Sequence, residues 1–128
     1  MLEQATFNLM LACFVAHELD AVDKREWRLI FILRTMADNH AGALFTLLHI
    51  PLAFVTLSLV FSASPDVAYY SRLLLDVFAM IHLYLHWRLR NHPENRFVWP
   101  GSYVPIASAG ILGGIHACYT AIASSTVG

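Results

Sequence analysis

Four stretches of the chain are apolar almost throughout, at about residues 5–22, 41–62, 67–88 and 102–125, and the charged residues gather between them. Each approaches the ~20 residues needed to cross ~30 Å of hydrocarbon as an α-helix. The pattern predicts an all-α integral membrane four-helix bundle, a single transmembrane domain over residues 1–128. The first stretch is the shortest and ends in His17-Glu18-Leu19-Asp20, so its lower end is expected to be covered by protein. A cleaved signal peptide is the rival for this segment. Glu3 without Lys or Arg at the extreme N-terminus, and no small-x-small site before His17, predict a retained helix instead.

The connections have their own patterns. Asp23 to Arg34 alternates charge with large apolar residues, which predicts a short interfacial helix over about 24–36 with Trp27 at headgroup level. Ser62-Ala63-Ser64-Pro65-Asp66 reads as a turn. Asn91-His92-Pro93-Glu94-Asn95 breaks the chain after the third stretch, and Pro100-Gly101 precedes the fourth.

Composition strengthens the membrane reading. Of 128 residues, 58% are hydrophobic and only 13% charged, less charge than a soluble domain of this length needs to cover its surface. A net charge of −1 argues against nucleic-acid binding. Cys13 and Cys118 both lie in apolar segments, which argues against a disulfide framework.

Charge also sets orientation. Lys24, Arg25, Arg28 and Arg34 flank the first connection and Arg88, Arg90 and Arg96 the third, with Arg72 alone on the opposite side. The positive-inside rule makes the crowded side cytoplasmic and turns both termini outward. The expected location is the bacterial inner membrane, crossed several times.

Histidines carry the candidate chemistry. His17, His49, His82, His86 and His116 fall within or at the end of the apolar stretches, where an ionisable side chain costs several kcal/mol and marks a functional site. At 1.5 Å per residue, His17 lies roughly 7 Å, His49 about 12 Å, His82 roughly 9 Å and His86 roughly 3 Å above the cytoplasmic end of its span. His116 is deeper, on the order of 15–20 Å. His82 and His86 share one helix face, and so do His17 and Asp20, with Cys13 one turn above. Such spacing lets one helix offer two ligands to a common point. Glu18 points about a quarter turn away from His17.

Plainer roles exist for these groups. Polar side chains in membrane bundles also serve as interhelical hydrogen-bond partners, worth roughly 1 kcal/mol each. Gly110, Gly113 and Gly114 suggest close helix packing around His116. Asp76 is either a true intramembrane carboxylate or a group hydrating near the outer face. His40 and His92 belong to connections, and the arginines are topology determinants that can also bind an anionic headgroup.

HELDA at 17–21, HIPL at 49–52 and HLYLHWRLRNHPENRF at 82–97 together resemble a family of small, uncharacterised bacterial four-helix membrane proteins. Its recurring pattern is HE-x-DA with a following EW, then HIP, then H-x-x-x-H and an R-x-H box. The resemblance implies the topology above and the importance of these positions, and supplies no reaction. Glu26-Trp27 would match the EW element, which adds Glu26 as a site residue near the cytoplasmic rim.

The leading expectation is a metal-binding membrane protein with His17, His49, His82 and His86 as ligands, joined by Asp20 and, if it reaches the site, His116. Glu18 or Asp20 would act as catalytic base. Imidazole with carboxylate suits zinc or non-haem iron, and membrane lipid or a lipid-like, apolar molecule is the expected partner and substrate. A b-type haem or pigment carrier in electron transfer is the alternative. A non-catalytic subunit of a membrane complex, or a homo-oligomer, is a further one.

Overall fold

The computed structural model describes residues 1–125, and its regular elements are all helices, with no strand among the described residues. Helix α1 spans Leu2–Asp23, α2 Asp38–Val60, α3 Pro65–Arg88 and α4 Pro100–Ser125. Pro65 opens α3 at its first turn, where its missing N–H costs nothing. The turn expected at 62–66 therefore closes two residues earlier than its sequence limits.

Three helices are long and apolar enough to cross a membrane: Leu2–Asp23, Asp38–Val60 and Pro100–Ala123. The 24 residues of α3 match them in length. They are less apolar because this helix carries Arg72, Asp76, His82 and His86. Its outward residues, among them Val77, Ile81 and Leu85, are apolar. Asp76, His82 and His86 on α3 thus face protein, an arrangement compatible with a membrane protein.

α4 packs closely on α3. A Cβ at Gly110 would stand 2.6 Å from the Leu83 side chain, and one at Gly113 3.1 Å from the Asp76 carbonyl oxygen. Small residues at these positions let two backbones approach, the usual device of helix packing in lipid. α1 is buried against α3 and α4 through Phe7 and Met10, with Val60, Leu75 and Ala79 completing that core. α2 stands apart from this trio, with Leu47, Leu48, Ile50, Phe54 and Val55 exposed.

The interfacial helix expected over 24–36 is absent as a continuous element. Arg25 adopts the left-handed conformation (φ 57°), which stops α1 and turns the chain back. Two short 3₁₀ turns follow, Glu26–Arg28 and Leu33–Thr35. Trp27 is buried rather than held at headgroup level, in a core with Ala21, Leu33, Ala41, Phe45 and Phe97. Its indole N–H donates to Asp38 at 3.0 Å, and Arg25 and Arg28 donate to the same carboxylate. Gly42 admits the ring, since a Cβ there would lie 3.0 Å from it. The connection is thereby folded under the bundle, which places Glu26 inside.

Candidate metal centre

His82 and His86 stand one turn apart on α3, so both rings leave the helix on one side. His17 reaches the same point from α1, and Glu26 reaches it from the first 3₁₀ turn. One ligand atom from each of the four lies within 4.8 Å of all the others. The Nε2 atoms of His17 and His82 are 3.0 Å apart. Glu26 Oε2 lies 3.5 Å from His17 Nε2, and Glu26 Oε1 lies 3.5 Å from Nε2 of both His82 and His86.

The cluster is largely buried. His17 is fully buried, and the side chains of His86, Glu26 and His82 are 4%, 11% and 15% exposed. Phe14, Phe78 and Phe97 wall it: Phe78 stacks on His82, Phe14 meets the same ring edge-on, and Phe97 contacts the rings of both His17 and His86. Phe97 comes from the connection before α4. Asn95 folds that segment by accepting from the Phe97 N–H and donating to the Arg90 carbonyl.

Electrostatics favour a cation. With neutral imidazoles the cluster carries the single negative charge of Glu26. Burial raises the Glu26 carboxyl, but the His86 hydrogen bond and, wherever the rings take a proton, the charges of His82, His86 and His17 outweigh it and hold it below the ordinary range. Glu26 Oε2 and His17 Nδ1 have no hydrogen-bond partner. A buried carboxylate oxygen without a donor is costly unless something positive meets it. Three imidazoles and one carboxylate converging on a point are a donor set that could hold a metal ion.

Other sequence candidates lie elsewhere. His49 joins Glu18 in a second pair, Nε2 to Oε2 at 2.7 Å, while His49 Nδ1 stands 2.6 Å from the Phe45 carbonyl. A carbonyl only accepts, so Nδ1 carries the hydrogen there. Nε2 and Glu18 must then share one proton between them. This pair can donate and recover a proton. A cavity of about 520 Å³ is lined by Glu18, His49, Glu26 and His82 together, so the pair and the cluster face a common space.

Asp20 does not reach the cluster. It lies 3.7 Å from Lys24, one turn on, and its Oδ2 is buried without a partner. The carboxylate position is taken by Glu26, which the turn at Arg25 swings beneath His17. His116 is buried in the other half of the bundle, where its Nδ1 meets Asp76 Oδ2 at 2.6 Å. Phe7 packs on that ring, and Glu3 lies 3.9 Å from its Nε2. Asp76 is thus a true buried carboxylate with a partner. Cys13 and Cys118 are free thiols outside the cluster. His40 is exposed, and His92 lies 3.5 Å from Arg34.

Glu26 was reachable in the sequence only through the EW element, since no helical periodicity connects it with His17. Phe97 had no signal beyond its place at the end of the H-x-x-x-H segment.

No curated protein and no solved structure matches the chain. A family model does, over residues 3–123, nearly the whole length. The chain belongs to that family, described as a family of unknown function, DUF6713.

Proposed function

We propose that this is an integral membrane metalloprotein, holding one divalent ion at His17, Glu26, His82 and His86, and that it hydrolyses a lipid-like amide or ester. The convergence of four ligand atoms from α1, α3 and the intervening turn within 4.8 Å carries this reading. The ion, zinc or non-haem iron, would polarise a carbonyl and activate water. Glu18 and His49, across the shared cavity, supply the proton that a departing alcohol or amine needs. That pair favours hydrolysis over oxidative chemistry.

The positive-inside distribution of Lys and Arg supports a cluster in the cytoplasmic half of a bacterial inner membrane, with both termini outward. The substrate then enters from the inner leaflet. A bis-histidine haem finds less support, because Nε2 atoms of His17 and His82 at 3.0 Å leave no width for iron and macrocycle between them.

Elemental analysis of detergent-purified protein beside a His82→Ala/His86→Ala variant tests the proposal. About one zinc or iron per chain in the parent and none in the variant is expected. A parent without stoichiometric metal would sink it, and a Soret band would move the protein to the haem class.

A further inference from the structure

The cavity that joins the cluster to the Glu18–His49 pair continues far beyond both. On α3 its lining runs Ser71, Leu74, Phe78, His82, a single stripe at helical spacing. On α2 the facing stripe runs His49, Leu52, Thr56, Leu59. From Ser71 to His82 the stripe extends about 16 Å at 1.5 Å per residue, close to the ~15 Å depth of one leaflet of hydrocarbon.

Its two ends differ in chemistry. The inner end has Glu18, Glu26, His49 and His82; beyond them Thr56 and Ser71 are the sole polar side chains among the lining residues. Val60 and Ser71 form the outer end, and Arg72 ties that end shut by donating to the Val60 carbonyl at 3.0 Å and to Gln4 at 2.9 Å. The result is an apolar slot as long as one lipid chain, closed above, with acid–base and metal-ligating groups at its base.

We infer that the substrate is a single-chain acyl amphiphile whose chain lies in this slot between α2 and α3. Its amide or ester carbonyl would sit between Glu26 and the Glu18–His49 pair. The assignment rests on the metal-dependent reading above and adds the substrate class to it. In the reaction the water oxygen bonds to the acyl carbon, and the bond from that carbon to the alcohol oxygen or amine nitrogen breaks. The leaving atom takes the proton shared by Glu18 and His49, and the proton lost by water restores it. The products are a fatty carboxylic acid and a free alcohol or amine.

Alkyl hydroxamates of increasing chain length test the slot, since the hydroxamate chelates the metal and the chain probes the groove. Binding is measured on metal-loaded protein in one detergent for the parent, Thr56→Trp at mid-slot, Ser71→Trp at its closed end, and Leu47→Trp on the outward face of α2. Metal content is measured on the same samples. Parent and Leu47→Trp should gain affinity with chain length up to the depth of one leaflet. Thr56→Trp should stop gaining at shorter chains and bind the longest on the order of tenfold more weakly, the loss of about two buried methylenes. Ser71→Trp should differ from the parent only at the longest chains and serves if Thr56→Trp does not fold. Equal length dependence in all variants at full metal content would overturn the slot and leave the metal centre standing. A parent that holds no metal would overturn the reading on which the slot depends.

Discussion

His17 and His82, 65 positions apart in the chain, bring their Nε2 atoms to 3.0 Å inside a protein wall of phenylalanines. With both rings neutral, one nitrogen donates and the other accepts, and Glu26 stands 3.5 Å from each. In the proposed metalloprotein a divalent ion held by these residues would take the place of that hydrogen bond. The contact is therefore the place where loss of one ligand is felt by the other three.

Removal of the Glu26 carboxylate should separate ligation from folding. Glu26→Gln keeps the shape but exchanges one acceptor oxygen for an NH2 donor and removes the negative charge of the cluster. Metal affinity is expected to fall at least tenfold, with the helical circular dichroism unchanged. The exposed His40→Ala is the matching control and should retain full metal.

The pH response has a definite sign. Glu26 has its folded pKa lowered, so its contribution to stability is complete above the ordinary carboxylate range and is lost as pH falls through the lowered value. In metal-free protein the stability advantage of the parent over Glu26→Gln should be lost only below the ordinary carboxylate range, as pH falls through the lowered Glu26 value. Thermal unfolding of both proteins from neutral to acid pH checks this. An advantage that persists unchanged below the lowered Glu26 value would contradict the placement of Glu26 among the histidines.

Asp76 and His116 form a buried pair independent of the cluster, joined at 2.6 Å with Asp76 fully buried. Breaking such a pair strands one polar partner and costs about 3–5 kcal/mol. Asp76→Asn or His116→Ala should lower thermal stability in detergent while metal stoichiometry stays at the parent value. Loss of metal in either variant would join this pair to the site.

Trp27 is the anchor of the turn that delivers Glu26. Trp27→Ala removes a buried ring packed on Phe45 and a hydrogen bond to Asp38, a loss of about 3–5 kcal/mol. Metal affinity should fall with it, although Trp27 touches no ligand atom, because the turn is no longer fixed. Unchanged affinity in a destabilised variant would show that Glu26 is held by other means.

Much of this arrangement was legible in the sequence, and the misses have physical causes. Four helices followed from four apolar stretches, and the i, i+4 spacing of His82 and His86 with their depth relative to His17 put three imidazoles in one layer. Glu26 was not legible from periodicity, because its position depends on the left-handed turn at Arg25 rather than on a helix face. Asp20 looked equally suitable on α1 until that turn supplied a nearer carboxylate. His49 lines the same cavity as Glu26 and His82, but depth along a helix says nothing of lateral offset, and its ring meets Glu18 instead. The amphipathic pattern at 24–36 reflected real burial of Trp27 and Leu33, achieved by two tight turns under the bundle.

X-ray absorption on the purified, metal-bearing protein tests the centre most directly. The account predicts one zinc or iron per chain, surrounded by nitrogen and oxygen at about 2.0–2.2 Å, with the scattering pattern of three imidazoles. That imidazole signal should fall by a third in His86→Ala. Sulfur at about 2.3 Å, or a protein that retains no metal at all, would contradict it.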